Sequence, residues 1–366
     1  MKILALEPYY GGSHRAFLDG WSQASRHDWT CLTLPAHHWK WRMRHAAITF
    51  AQQLHEAHST DFDLLLCTDM LNLAAFRGLA PKAIGPLPTL LYFHENQLTY
   101  PDQFRTQRDY HYAFDNFQSM LAADAIWFNS QYHRDEFLQA TRQFLSRFPD
   151  YHLDDQIDLL AQRCTIAQPG LEVSPKRETQ PRFDCPHIVW AARWEQDKNP
   201  EDFFAALQQL NDHGVSFRLS VVGESFRDSP TIFAEAQEMF SDQIEQWGFL
   251  PNHADYQALL READLFVSTA IHEFFGISAA EAILAGCIPV LPNRLAYPEL
   301  VDHQSHLLYD GTPNGLASHI QHLTQDQSFQ QQAQQQSHQA QQRLKNLQWP
   351  NLAPSYDTAT ERITRR

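Results

Sequence analysis

A chain of 366 residues with 43% apolar and 12% aromatic residues carries enough apolar material for two domain cores. Its formal charge of −15 makes it a poor non-specific binder of nucleic acid. No run of about 18 apolar residues is present and the opening Met1-Lys2-Ile3-Leu4-Ala5-Leu6 is too short for a signal peptide, so a soluble, cytoplasmic monomer without a membrane partner is the expectation. The five cysteines, at 31, 67, 164, 185 and 287, are odd in number and lack C-x-x-C spacing, which points to reduced thiols and no structural zinc. Histidine is abundant at 20 residues, but no H-E-x-x-H spacing occurs.

In chain order, KILALE at 2–7 reads as a strand, followed by Pro8-Tyr9-Tyr10-Gly11-Gly12-Ser13-His14 and an amphipathic helix through Trp21-Ser22. A strand, a glycine turn and a helix is how a doubly wound domain opens. Gly11 and Gly12 let backbone approach a ligand closely, though a plain tight turn is the alternative, and the G-x-G-x-x-G fingerprint is absent. A second strand, 29–34, leads into Pro35 to Arg44, which reads as a loop dense in aromatic and basic residues. That loop is either an aromatic knot on the first helix or an acceptor surface where bases stack and phosphates pair. FDLLLCT at 62–68 and LPTLLYF at 87–93 are the third and fourth strands; Asp69 follows one and His94-Glu95-Asn96-Gln97 the other, where ligands of such sheets bind. Residues 104–121 look helical, 124–129 and 164–167 are strands, and Ser130 opens a helix between them.

A Pro-rich, non-periodic stretch at 173–186 is the expected linker between a first domain, 1–172, and a second, 187–347. The second domain opens with a strand at 187–192, then a loop with Arg193 and Lys198, and a helix over 201–213. Strands follow at 217–222, before Gly223, and from Gly248, with a helix over 256–263. The segment around which the chain is organised is 264–292, DLFVSTAIHEFFGISAAEAILAGCIPVLP: strand, polar turn, helix from about Phe274 to Ala285, strand. Glu273 and Glu281 are eight residues apart, a little over two helical turns, a spacing that can bring both to one side. The first turn, Phe274-Phe275-Gly276-Ile277-Ser278, offers backbone N–H groups and the positive end of a helix dipole, which suits a phosphate. A final short strand is expected at 306–309. A glutamine-rich helix follows over 312–347, Trp349-Pro350 breaks it, and a last helix from Ser355 packs back on the first domain as part of 348–366.

HEFFGISAAEAILAGCIPVLPN resembles the donor segment of family 4 retaining glycosyltransferases, with Phe274 standing where that family has a small residue or proline. The pattern R-x4-K-N-P at Arg193 and Lys198 matches the same family. The resemblance implies an α/β fold of the GT-B type, two doubly wound Rossmann-like domains facing across a cleft. EPYYGGSHRAFLDG, LPAHHWKWRMRHAAITFAQQL, LYFHENQLTYP and FNSQYHRDEFL narrow it, because together they look like the family of tRNA-queuosine α-mannosyltransferases.

That family implies transfer of mannose from the nucleotide sugar GDP-mannose to queuosine in the anticodon loop of tRNA-Asp, with retained stereochemistry and no metal or other cofactor. Arg193 and Lys198 would neutralise the departing diphosphate, Glu273 would hold hydroxyls of the donor sugar, and Glu281 those of the ribose. His94 would hold the sugar or the reacting oxygen. Gly11, Gly12, Gly223, Phe274, Phe275, Gly276 and Ile277 complete the expected donor contacts. His14, Lys40, Trp41, Arg42, Arg44, Asp69, Asn96 and Gln97 are the expected acceptor contacts. Two alternatives stay open: a related transferase using another nucleotide sugar and a small-molecule, lipid or glycan acceptor, and a catalytically silent nucleotide-sugar or RNA-binding protein.

Overall fold

The runs LLLCT at 64–68 and TLLYF at 89–93 are buried at every position, the pattern of parallel strands covered by helices on both faces. In the computed structural model, which describes residues 1–58, 60–101, 109–173, 180–226 and 228–365, such runs assemble into two sheets. The chain divides into two units, Met1–Gly170 with Leu347–Arg366, and Leu171–Asn346.

In the first unit the strands are β1 (Lys2–Tyr10), β2 (Asp28–Pro35), β3 (Leu64–Thr68), β4 (Thr89–Phe93), β5 (Ala125–Phe128) and β6 (Cys164–Ile166), in the order β2-β1-β3-β4-β5-β6. All pairs are parallel. In the second unit they are β7 (His187–Ala191), β8 (Arg218–Val222), β9 (Ile244–Gly248), β10 (Leu265–Val267), β11 (Ile288–Pro292) and β12 (Leu308–Tyr309), in the order β12-β11-β10-β7-β8-β9 and again parallel. The direction of winding reverses between β1 and β3 in one sheet and between β7 and β10 in the other. Loops beyond the carboxyl ends of those strands therefore diverge and leave a crevice.

The C-terminal helix, Trp349–Ile363, is part of the first unit's core. Trp349 is wedged where Gly20 and Gly170 lack side chains; a Cβ on either would overlap the indole. Asp357, 1% exposed, accepts hydrogen bonds from Trp21 Nε1 (3.0 Å), Ser25 Oγ (2.7 Å) and the Arg26 backbone N–H (2.8 Å). Burying that carboxylate is tolerable because three donors replace its water.

Several elements differ from their expected limits. The aromatic-basic stretch is helical from Trp39 to Ala57, not a loop, and its buried face is Met43, Ala46, Ala47, Phe50, Ala51 and Leu54 at helical spacing. The third strand of the second unit ends at Gly248 rather than beginning there. The glutamine-rich segment is two helices, Pro313–Gln325 and Gln327–Leu344, because Asp326 caps the second through Ser328 N–H and Phe329 N–H. Pro350 starts the last helix instead of breaking one, since the first helical turn needs no N–H donor. Part of the helix expected over 104–121 and of the linker expected over 173–186 lies outside the described residues; the helix is seen from Tyr110 to Ala122. No helix among the described residues is long and apolar enough to cross a membrane.

Candidate functional site

In the second unit, Arg193, Lys198 and Glu273 lie on loops beyond the carboxyl ends of β7 and β10, at the reversal of winding. Lys198 is fixed from three sides: its Nζ donates to the carbonyl of His272 (2.9 Å) and lies 2.9 Å from Asp197 Oδ2 and 3.7 Å from Glu273 Oε2. Arg193 Nη2 pairs with Glu195 Oε2 at 3.1 Å. Burial first, then the charge of Lys198, pushes His272 down to about 4, so its imidazole is neutral beside these cations. Arg294 secures the β10 loop by donating to the carbonyls of Ala270 (3.0 Å) and Thr269 (2.9 Å).

The helix after β10 runs from Ile277 to Ala285, starting three residues later than expected. Gly276 precedes it with φ +91°, a backbone conformation that favours glycine, and a Cβ there would press on Tyr297 at 3.0 Å. Glu273 therefore stands before the helix. Its Oε1 accepts from the backbone N–H of Phe274 (3.1 Å) and Phe275 (3.4 Å), so those two N–H groups serve the glutamate. The first helical N–H groups are those of Ile277 and Ser278, and they are the ones suited to an anion. The side chains of Phe274 and Phe275 are 5% and 4% exposed and belong to the core. Gly223 is needed for packing, because a Cβ would overlap the carbonyl oxygen of Ala192.

Glu273 lines a recess with Lys198, Ser278 and Tyr297, whereas Glu281 lies on the helix itself. Glu281 lines a small recess with Glu172, Tyr256, Gln257, Leu260 and Leu284. As a residue it is half-buried. Burial raises it to about 7, the Tyr256 hydroxyl opposes that by hydrogen bonding, and Glu172 adds to it by charge.

In the first unit, Glu7 within β1, His14 in the helix Gly12–Ala24, Asp69 after β3 and His94 after β4 are all buried. His14 Nδ1 lies 3.1 Å from Glu7 Oε2, and the His14 and His94 rings lie 4.0 Å apart at 33°. Asp69 Oδ1 accepts from the backbone N–H of His94 (2.8 Å), and the His94 carbonyl accepts from Asn129 Nδ2 (2.9 Å). Among the described residues, His94 Nε2, Asp69 Oδ2 and Thr68 Oγ1 have no hydrogen-bond partner. Side-chain atoms of Glu7, His14 and His94 come within 4.8 Å of one another. The two imidazoles are stacked at a 33° tilt, and the Nδ1 of His14 is already paired with Glu7. Asn96 is fully buried and its Oδ1 accepts from the N–H of Leu98 and Thr99, so it shapes the loop; Gln97 Nε2 donates to Glu95. Gly11 packs against Ala36, while a Cβ on Gly12 would meet nothing within 4 Å.

On the helix from Trp39, Trp41 is 61% exposed and leans on His45. Arg42 is held by the Pro35 carbonyl and by His45 and His37. Lys40 lies over the Trp39 ring at 5.5 Å. Arg44 instead turns to Asp115 and the Tyr112 ring.

Residues 2–171 match the model of the tRNA-queuosine α-mannosyltransferase N-terminal domain, and residues 176–343 that of glycosyl transferases group 1. A tRNA-queuosine α-mannosyltransferase of Drosophila melanogaster is 36% identical over 87% of this chain and 85% of its own. The chain belongs to the tRNA-queuosine α-mannosyltransferase family. It is accordingly a glycosyltransferase. A GDP-mannose:cellobiosyl-diphosphopolyprenol α-mannosyltransferase of Xanthomonas oryzae is 31% identical over 29% of this chain and 28% of its own. Among solved structures, Anabaena HepE (TM-score 0.69, 17% identity) and the sucrose-phosphate synthase of Thermosynechococcus elongatus (TM-score 0.73, 15% identity) each match over 99% of both chains. These are GT-B glycosyltransferases, and the likeness shows the same α/β fold here.

In this glycosyltransferase the sequence motifs did not disclose Glu7, Asp197, Tyr256 or Arg294. Glu7 was visible as the strand end seven residues before His14, and Asp197 as the neighbour of Lys198. Tyr256 and Arg294 gave no signal, since their contacts depend on loops brought together by the sheet.

Proposed function

We propose that this protein transfers mannose from GDP-mannose to queuosine in the anticodon loop of tRNA-Asp, retaining the sugar's configuration. The observation that carries the reading is the match to tRNA-queuosine α-mannosyltransferases along both units. On this reading the second unit holds the donor. Arg193, Lys198 and the N–H groups of Ile277 and Ser278 take the diphosphate, competing with Glu195 and Asp197 for the two cations. Glu273 accepts from sugar hydroxyls and Glu281 from ribose hydroxyls. The first unit serves the acceptor: Lys40, Trp41 and Arg42 offer an exposed aromatic and basic face to RNA, while His94 Nε2 and Asp69 Oδ2 are left to hydrogen-bond hydroxyls. The leaving phosphate takes the acceptor proton as the new bond forms on the same face of C1, so the protein's part is positioning and charge stabilisation. No metal is needed, and the protein acts as a cytoplasmic monomer.

The test is transfer of radiolabelled mannose to tRNA with and without queuosine, run in EDTA. Label confined to queuosine-containing tRNA-Asp is the expected result. Absence of label with GDP-mannose still bound in calorimetry would redirect the acceptor, and absence of binding would overturn the donor.

A pH dependence follows from Glu281. Ribose hydroxyls bind its ionised form, so the KM for GDP-mannose should rise about tenfold for each unit below about pH 7. Tyr256→Phe removes the hydrogen bond that favours ionisation, and should move this rise to higher pH while leaving kcat at saturating donor unchanged. An unaltered profile would detach Tyr256 from the ribose site.

A further inference from the structure

We propose that Glu7 is a positioning residue for the transfer, fixing His14 face to face with His94 so that the Nε2 of His94 is presented to a substrate hydroxyl. This rests on the role given to His94 above and extends it to residues that do not touch substrate.

The geometry supports it from three directions. Glu7 is 2% exposed, yet Oε2 is 3.1 Å from His14 Nδ1 and Oε1 accepts from the Tyr9 N–H at 2.8 Å, so both carboxylate oxygens are engaged, one by β1's own backbone and one by the following helix. The His14 ring in turn lies 4.0 Å from that of His94, with Tyr9 against its edge at 5.9 Å. His94 is closed in by Phe17 (5.2 Å) and Tyr92 (4.7 Å) and held at its backbone by Asp69 and Asn129. The ring is thus confined on these sides and 7% exposed, and its buried Nε2 lacks a hydrogen-bond partner among the described residues.

Charge reinforces the placement. Burial alone would lower His14, but Glu7, by charge and hydrogen bond, and then Asp69 and Glu95, raise it to about 9. His94 moves the other way, well below the ordinary imidazole value, through burial, then the charge of His14, then that of His133. The groups facing this stack are thus Glu7, Asp69, Glu95 and His133. Glu7 foremost holds His14 as a cation, Asp69 adding to it only above about pH 8, to which burial raises its own carboxyl, and burial together with His14 and His133 holds His94 neutral. A neutral imidazole whose Nε2 is unpartnered can accept from or donate to a hydroxyl according to its tautomer; an imidazolium could only donate.

The experiment pairs imidazole NMR on the full chain, labelled at histidine Cε1 and assigned with His14→Ala and His94→Ala, with the pH dependence of kcat at saturating donor. In the wild type His14 stays protonated until about pH 9. In Glu7→Gln its titration should fall below about pH 6.5, since burial then acts with less to oppose it. His94, relieved of its cationic neighbour, should titrate higher, moving the acid limb of kcat up by about one pH unit. The KM for GDP-mannose should stay within about twofold, because Glu7, the residue replaced, is not itself a donor contact. Glu7→Asp keeps the charge and should keep the wild-type pH limb with a kcat lowered about threefold to tenfold by misplacement, as expected when a catalytic geometry is loosened. A His14 still cationic in Glu7→Gln, or an acid limb that does not move, overturns the proposal. An inactive wild type overturns the assigned reaction instead, and the NMR titration tells the two failures apart.

Discussion

Glu273→Gln is expected to lower kcat by about 10²–10³-fold while GDP-mannose affinity stays within about threefold, the pattern of an interaction made mainly in the transition state. The substitution suits the site. The amide carbonyl it introduces can still accept from the N–H of Phe274 and Phe275, so the turn before the helix Ile277–Ala285 keeps its hydrogen bonds. What disappears is the negative charge 3.7 Å from Lys198 Nζ and the strong acceptor for sugar hydroxyls. Lys198 is then less engaged and more available to the diphosphate, which is why ground-state binding should hold. Steady-state kinetics with calorimetry on GDP-mannose checks both halves. Loss of binding together with turnover would mean that Glu273 is needed to build the donor site, and the role assigned to it would fail.

The sequence disclosed this site unevenly, for physical reasons. Strands such as β3 and β4 are short apolar runs buried on both faces, so their place and the polar residues beyond them, Asp69 and His94, were legible. Glu273, Arg193 and Lys198 stood in a recognisable pattern. The helix from Trp39 was obscured because its first turn, Trp39-Lys40-Trp41-Arg42, is mostly solvent-facing and shows no apolar stripe; the stripe begins only at Met43. β9 was displaced because it is an edge strand whose residues are half-buried or exposed, without the dense apolar signature of its neighbours. The start of the helix at Ile277 depended on Glu273 occupying the preceding N–H groups, a side-chain contact that spacing does not encode. The same holds for Glu7: the role proposed for it runs through His14, whose ring stacks on that of the distant His94, a contact that the parallel pairing of β1, β3 and β4 brings about.

Lys198 tests whether a residue can be both a structural and a catalytic cation. Its side chain is 13% exposed and that of Asp197 is 4% exposed, so Lys198→Met leaves a buried carboxylate without its nearest counter-charge. Breaking a buried pair from one side costs about 3–5 kcal/mol, so this variant should unfold at clearly lower temperature as well as lose about 10³-fold in kcat. The two losses separate in the double variant Lys198→Met with Asp197→Asn. Neutralising Asp197 removes the unpaired charge, so thermal stability should return most of the way toward wild type. Activity should not return, because the cation that opposes charge on the departing diphosphate is still missing. Thermal unfolding and kcat measured on both variants decide the matter. Recovery of activity along with stability would make Lys198 a scaffold for the loop between β7 and the following helix, leaving charge neutralisation to Arg193 and the helix N-terminus.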